Sequence, residues 1–92
     1  MNYCIIPLTT VTSAKRLEKE ALSKGVVCSV VNTPKGLSKR GCSHSVRVRE
    51  TDVTKILDMG KFLNLTMGGV FREVRYGLKI NYIRQEQYDD LF

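Results

Sequence analysis

The chain has 92 residues, of which 42% are hydrophobic and 26% are charged, a composition that predicts one folded domain rather than a disordered chain. No apolar stretch reaches the roughly 20 residues that a membrane helix needs, which excludes a helical membrane protein. The N-terminal residues lack the pattern of a secretory signal, and an odd number of cysteines, three, argues against a disulfide scaffold. We therefore expect a cytoplasmic protein whose thiols are reduced.

The net charge of +6 arises in one segment of the chain. No Asp or Glu lies between Glu20 and Glu50. This acid-free segment contains six cations: Lys24, Lys35, Lys39, Arg40, Arg47 and Arg49. Elsewhere the nine basic residues equal the nine acidic residues in number. A local positive field attracts anionic ligands or acidic partners, and the alternative is an ordinary solvated basic surface.

The first third of the chain predicts a strand, a helix and a second strand. Residues 3–8 and 26–31 are short apolar runs that are typical of buried strands. The residues between them place five apolar side chains on one helical face: Val11, Ala14, Leu17, Ala21 and Leu22. Four polar residues are candidate N-caps of this helix: Thr9, Thr10, Thr12 and Ser13. Gly25 is a typical residue for the position just after such a helix.

The middle of the chain predicts a loop, a strand and a second helix. Residues 32–41 contain the turn-forming sequence Thr33-Pro34-Lys35-Gly36 and predict a loop. Residues 43–49 alternate between polar and apolar side chains, as a half-buried strand does. Thr51 and Asp52 are expected to cap a helix with these apolar residues: Val53, Ile56, Leu57, Phe62 and Leu63.

Two further strands are predicted over residues 70–76 and 78–84, and a polar tail over residues 85–92 that we expect to fray rather than to dock. The element order is therefore βαββαβ with an extra C-terminal strand. This order predicts an α+β fold, a ferredoxin-like sandwich in which two helices pack on one face of an antiparallel sheet. We assign this single domain to residues 1–84.

The predicted topology places Cys42 at a sheet edge beside the start of the first helix. In a ferredoxin-like sheet the first and third strands are antiparallel neighbours, so the residues after Cys42 begin next to Thr9 and Thr10. A helix N-terminus and nearby cations lower the pKa of a cysteine and favour its thiolate. We therefore predict a reactive thiolate at Cys42. Seven residues are expected to form an anion-binding surface around it: Thr9, Thr10, Lys35, Lys39, Arg40, Gly41 and Ser43.

Alternatives exist for each of these side chains. Cys42 could instead be a small half-buried strand residue, because free cysteine is often just that. Cys28 lies among valines and is expected in the core, and Cys4 is expected at the opposite edge, so neither is a convincing partner for Cys42. His44 shares the parity of the apolar residues in its strand, which favours a core histidine over a base. A single Cys-x-His pair falls short of a zinc site, and we predict no metal and no cofactor.

The chain resembles the small bacterial selenium/sulfur carrier-like proteins, a domain family of otherwise unknown function. The resemblance covers about residues 3–74. It lies in these features: the strand 3–8 followed by Thr9-Thr10, the helix with Ala14 and Leu17, the strand 26–31, Asn32-Thr33-Pro34-Lys35, and Cys42 eight residues after the proline. The family pattern has a glycine directly after the cysteine, whereas here Gly41 precedes Cys42 and Ser43 follows it. The resemblance implies that Cys42 holds a persulfide or selenide and passes it to an acceptor.

Three functions are consistent with these features. The first is a carrier that exchanges sulfur or selenium on Cys42 with donor and acceptor proteins, without turnover of its own. The second is a binding module for an anionic ligand, an acidic protein or a nucleic acid, although the acid-free segment has no aromatic residue for base stacking. The third is a regulatory or assembly domain that binds a small anion or dimerises through an open sheet edge near Leu78, Ile80 and Tyr82.

Overall fold

The structure is a computed structural model that describes residues 2–37 and 44–91. Its strands and α-helices, in chain order, are β1 (Tyr3–Leu8), α1 (Val11–Ser23), β2 (Cys28–Asn32), β3 (His44–Arg49), α2 (Val53–Phe62), β4 (Phe71–Tyr76) and β5 (Lys79–Arg84). Two short 3-10 helices, Glu50–Asp52 and Glu86–Leu91, complete the described elements.

The five strands form one antiparallel sheet in the order β2-β3-β1-β4-β5. The two α-helices connect β1 to β2 and β3 to β4, as in a ferredoxin-like sandwich, and β5 adds a strand beside β4. The predicted α+β fold with an extra C-terminal strand is therefore confirmed. Neither α-helix in residues 2–37 and 44–91 combines the length and apolar character needed to cross a bilayer.

The core lies between the sheet and the two helices. Side chains alternate along each strand, so every second residue of β1 and β3 faces the helices. The buried core on this side contains Cys4, Ile6 and Leu8 of β1, Val46 and Val48 of β3, Ala14, Leu17 and Ala21 of α1, and Val53, Ile56 and Leu57 of α2. Removing a large side chain from such a core costs about 2–5 kcal/mol, because the neighbours collapse only partly into the cavity.

Pro7 lies within a central strand, where proline is rare because it cannot donate a ladder hydrogen bond. The register between β1 and β4 covers only Cys4 and Ile5 of β1, so Pro7 lies beyond it. The carbonyl of Pro7 instead accepts a hydrogen bond of 2.8 Å from the N–H of Gly68. Because the N–H and C=O of a strand residue point to the same side, the missing N–H faces this loop rather than β3. The proline therefore costs no hydrogen bond between β1 and β3.

The apolar face of each helix is narrower than the sequence predicts. In α1, Ala14, Leu17 and Ala21 are buried, but Leu22 is 71% exposed. In α2, Phe62 is 77% exposed at the last residue of the helix. Each residue advances a helix by 100°, so Leu22 lies beyond the edge of the stripe that ends at Ala21. Leu22 and Phe62 were predicted on the apolar helix faces together with Val11, and the structure exposes all three.

The start of α2 also differs from the prediction. Thr51 and Asp52 belong to the 3-10 helix Glu50–Asp52, and no side chain forms a capping hydrogen bond at the start of α2. The chain enters α2 through this tight turn, whose backbone N–H of Val53 donates to the carbonyl of Glu50. Polar side chains before an apolar run therefore marked the correct position of the helix start but not the way in which it is capped.

The C-terminal segment docks on the domain. Tyr88 and Leu91 of the 3-10 helix Glu86–Leu91 pack against the core, and Arg84 forms an ion pair of 3.1 Å with Asp89. The expectation that this tail frays is wrong, because two apolar side chains at a spacing of three residues lie on one face of the short helix.

Candidate functional site

The sheet edge predicted to carry the reactive centre is formed by the ends of three strands. His44, the first residue of β3, lies opposite both Leu8 at the end of β1 and Asn32 at the end of β2. Two residues separate β1 from helix α1, and the second of them, Thr10, is the N-cap of the helix. The described residues thus confirm that the start of β3 and the N-terminus of α1 share one edge of the sheet.

The predicted reactive residue itself lies outside the described residues. This is true of Cys42 and of four of its predicted neighbours, Lys39, Arg40, Gly41 and Ser43. The described chain ends at Leu37 and resumes at His44. The reactivity of Cys42 and the role of these four residues therefore stay predictions.

The described part of the β2–β3 loop is tied to the sheet edge. The hydroxyl groups of Thr33 and Ser45 lie 2.7 Å apart and share a hydrogen bond, which links the first loop residue to β3. Ser45 is fully buried. Farther along, the N–H of Leu37 donates to the carbonyl of Pro34 at 3.2 Å, and Gly36 has a φ of 88°, which favours glycine. Lys35 is exposed in this turn, so its ammonium group faces solvent at the predicted site.

The N-terminus of α1 is capped but carries no compensating negative charge. The hydroxyl of Thr10 accepts a hydrogen bond of 3.0 Å from the backbone N–H of Ser13 and donates one of 3.0 Å to the Ser13 hydroxyl. The first turn contains no acidic residue. The partial positive charge of the helix end is therefore not offset locally, and it favours an anion nearby. Thr9 is exposed beside it.

The two thiols within the described residues are poor nucleophiles at neutral pH. Burial, with a contribution from the nearby Glu50 carboxylate, raises the pKa of Cys4 from 9.0 to about 11. Burial and the Glu18 carboxylate raise the pKa of Cys28 to about 11. Glu18 is held near β2 because it accepts a hydrogen bond of 3.2 Å from the N–H of Val30. Both thiols are thus almost fully protonated under neutral conditions.

The positions of these cysteines agree with the sequence interpretation. Cys28 packs against the core from β2 and is half-buried. Cys4 is fully buried and lies four residues before Leu8, which is about 13 Å along the strand from the edge at His44. His44 is half-buried and shares the helix-facing side of β3 with Val46, as its parity predicts. No three His, Cys, Asp or Glu side chains within residues 2–37 and 44–91 are grouped as metal ligands.

At least two of the six cations in the acid-free segment are paired with carboxylates. Lys24 forms an ion pair of 3.3 Å with Glu20 on α1. Arg47 of β3 makes two hydrogen bonds, of 2.6 and 3.1 Å, to the carboxylate of Glu73 on β4. Because Glu73 is 26 residues away in sequence, its contact with Arg47 follows only from the strand register.

The sequence interpretation missed a second group of functional candidates at the far end of the sheet. Tyr3, Arg47, Arg72, Glu73 and Arg75 line one pocket there. Arg72 and Arg75 lie outside the acid-free segment, in a part of the chain where charges balance. A predicted pairing of β1 with β4 would have placed these two arginines near Tyr3.

The comparisons with known proteins give one family. A family model described as "Putative Se/S carrier protein-like" matches residues 3–72. This match begins at the first residue of β1 and ends at the second residue of β4, so it contains all three strands and the helix N-terminus of the candidate edge. No curated protein and no solved structure matches the chain.

Proposed function

The chain belongs to the Se/S carrier protein-like family, and from this premise we propose that it carries one sulfur or selenium atom on Cys42. The observation that carries the proposal is the convergence, at one sheet edge, of the N-terminus of α1 and the strand that begins two residues after Cys42. A helix N-terminus favours the ionised form of a nearby sulfur, whether thiolate, persulfide or perselenide.

Loading is a transfer between sulfur atoms that needs no external oxidant. The Cys42 thiolate attacks the outer chalcogen of a donor persulfide or perselenide, forms a new S–S or S–Se bond, and breaks the corresponding bond in the donor. The donor leaves as its thiolate, so the oxidation level of the transferred atom moves with it. Unloading is the same step in reverse, with an acceptor thiolate as the nucleophile and the Cys42 thiolate as the leaving group.

The residues around the edge support this chemistry by charge. The uncompensated N-terminus of α1 at Thr10 stabilises the anionic state before and after transfer. Lys35 adds an exposed ammonium group in the described part of the loop. In this proposal Lys39 and Arg40, two or three residues from Cys42 in sequence, add two further cations. Gly41 lets the donor approach the backbone, and Ser43 belongs to the anion-binding surface.

The experiment is transfer from a protein persulfide followed by intact-mass spectrometry. Wild type should gain the mass of one sulfur atom and lose it again when an acceptor thiol is added. Cys28→Ser is the matched control, because it removes an equally small thiol from the same sheet and should load as wild type does. Cys42→Ser should not load. Stable loading of the Cys42→Ser variant, or loading of Cys28 in wild type, would contradict the proposal.

A second candidate, a binding module without chemistry, is favoured by the net charge of +6. In that case the protein should retain an anionic polymer such as RNA at low salt, and Cys42→Ser should bind it as tightly as wild type. A loss of binding as salt increases would be expected, since phosphate contacts release counterions. Loading of Cys42 in the mass experiment would decide in favour of the carrier.

A further inference from the structure

A pocket with a volume of about 350 Å³ lies at the end of the sheet opposite the candidate edge. It is lined by Asn2 and Tyr3 of the N-terminal segment, Arg47 of β3, and Arg72, Glu73 and Arg75 of β4. We propose that this pocket binds the phosphate group of a small phosphate monoester.

The pocket exists because β4 is longer than its contact with β1. The register between these strands consists of Ile5 with Phe71 and Cys4 with Arg72. Beyond Arg72, β4 continues to Tyr76 and pairs only with β5 among the described residues. The hairpin of β4 and β5 therefore extends past the start of β1, and the gap between them opens beside Tyr3.

One wall of this gap is held rigidly. The guanidinium carbon of Arg47 lies 3.7 Å from the centre of the Tyr3 ring, a stacking distance. The same guanidinium group makes two hydrogen bonds to Glu73, so its orientation is fixed from two directions. The charge of Arg47 is neutralised by Glu73. This pair therefore contributes to the shape of the pocket but not to its net charge, which comes from the other lining residues.

Two guanidinium groups at the gap remain without a countercharge. Neither Arg72 nor Arg75 forms an ion pair within residues 2–37 and 44–91. The Nε atom of Arg72 is buried and has no hydrogen-bond partner among these residues. A buried donor without a partner is costly, and a ligand oxygen would remove this cost. The pocket thus offers both a charge and an unsatisfied donor to an anion.

The charge balance selects the class of anion. Because Arg72 and Arg75 are three residues apart, they lie on opposite faces of β4 and flank its free edge. Together they supply two positive charges, and a phosphate monoester carries about −1.5 to −2 at neutral pH. A carboxylate would neutralise only half of this charge. Guanidinium groups also match the geometry of phosphate oxygens.

This site is separate from the proposed carrier site. Tyr3 lies opposite Arg49 in the β1–β3 register, whereas Leu8 lies opposite His44 at the other end. Five residues of extended strand separate these positions, or about 17 Å. Phosphate binding is therefore independent of the chemistry at Cys42, and its test can fail or succeed without affecting the proposed function.

The test is a titration of the ¹⁵N-labelled full-length chain with inorganic phosphate and, separately, with adenosine monophosphate at low ionic strength. Saturable shifts are expected at residues 72–76 and at Tyr3. Tighter binding of the nucleotide than of phosphate is the result expected for a monoester, whereas equal affinity would assign the pocket to free phosphate and contradict the monoester. Arg75→Gln should weaken both ligands at least about tenfold, the value of a charge-assisted hydrogen bond.

Two control variants make the result specific. Arg75 is exposed, so its replacement should not disturb folding. Arg16→Gln removes the same charge from the exposed face of α1 and should leave the affinity unchanged, and so should Cys42→Ser. Three results would overturn the proposal: no saturable shift with millimolar phosphate, shifts confined to the start of α1, or equal losses of affinity in Arg16→Gln and Arg75→Gln.

Discussion

Replacing Cys42 by serine should abolish fast thiol labelling of this protein, because the other two thiols are strongly protonated. At pH 7.4 a thiol with a pKa of 9.0 is about 2% ionised, whereas Cys4 and Cys28, with pKa values of about 11, are about 0.03% ionised. The difference is about 100-fold in thiolate concentration. The intrinsic nucleophilicity of a thiolate rises with its pKa, by about tenfold over these two units. Cys4 and Cys28 should therefore be labelled about tenfold more slowly than an ordinary exposed thiol.

Burial slows the two thiols further by different amounts. Cys4 is fully buried, so a reagent reaches it only when the sheet opens locally. Cys28 is half-buried and should therefore react before Cys4. If the helix N-terminus and the loop cations lower the pKa of Cys42 to about 7, its thiolate is about half or more ionised at pH 7.4. Labelling should then show one thiol reacting at least about 30-fold faster than the second.

The assay is labelling with a chromogenic disulfide reagent between pH 6 and pH 10, with wild type, Cys42→Ser and Cys28→Ser in parallel. The fast phase should be absent in Cys42→Ser and unchanged in Cys28→Ser. Its rate should level off above about pH 7, whereas an ordinary thiol accelerates about tenfold per pH unit until its own pKa. A fast phase whose rate still rises several-fold between pH 7.5 and pH 8.5, as that of an ordinary thiol would, would refute the electrostatic reasoning for Cys42.

Three further outcomes follow from described contacts. Thr10→Ala should lower the free energy of unfolding by about 1 kcal/mol in urea denaturation, because the helix loses its N-cap; unchanged stability would contradict this role. Glu73→Gln should cost about 1–2 kcal/mol in the same assay, because Arg47 loses a charged partner on a half-exposed face, and the cost should shrink in high salt. Stability should fall between pH 9 and pH 11, since the unfolded chain releases the Cys4 proton first. Over this interval the free energy of unfolding of Cys4→Ala should fall by less than that of wild type, the difference being at most about 2 to 3 kcal/mol. Identical pH profiles of the two proteins would refute the raised pKa of Cys4.

The fold could be predicted from the sequence because its strands differ in pattern. The apolar run of β1 and the alternation of β3 predicted a central strand and its half-buried neighbour. The element order then placed the end of β1 beside the start of β3, and the pairing of Leu8 with His44 confirms it. These predictions used local periodicity, which acts over short stretches of chain, and one topological rule that depends only on the order of the elements.

The predictions failed where contacts between distant residues decide the outcome. Leu22 has an apolar side chain at helical spacing, but no element covers that side of α1, so it is exposed. Arg47 of β3 and Glu73 of β4 come into contact because both strands pair with β1, and the contact depends on the two registers. Docking of the tail depends on the space left for Tyr88 beside the core. The first two facts have no signal within one window of sequence, and the spacing of Tyr88 and Leu91 alone does not show whether the core leaves space for them.

A group carrier of the proposed kind needs a single reactive thiol, and the positions of the other two meet this requirement. A persulfide on Cys42 is attacked at its inner sulfur by any nearby thiolate, which forms a disulfide and releases hydrosulfide. Cys4 is about 13 Å along the sheet from the edge, and both other thiols are almost fully protonated at neutral pH. The protein should therefore hold its sulfur until an acceptor arrives.

Asn32→Cys tests this argument directly, because it places a new thiol at the candidate edge. Asn32 is exposed and lies opposite His44, and Cys42 precedes His44 by two residues, a span of at most about 7 Å. The new thiolate should attack the loaded Cys42, so the variant should release one hydrosulfide per chain and form a disulfide between residues 32 and 42. Ser29→Cys, also exposed on β2 but about 10 Å farther along the strand, is the matched control and should keep its sulfur as wild type does. A loaded Asn32→Cys variant that retains its sulfur as long as Ser29→Cys would show that the persulfide does not lie at this edge of the sheet.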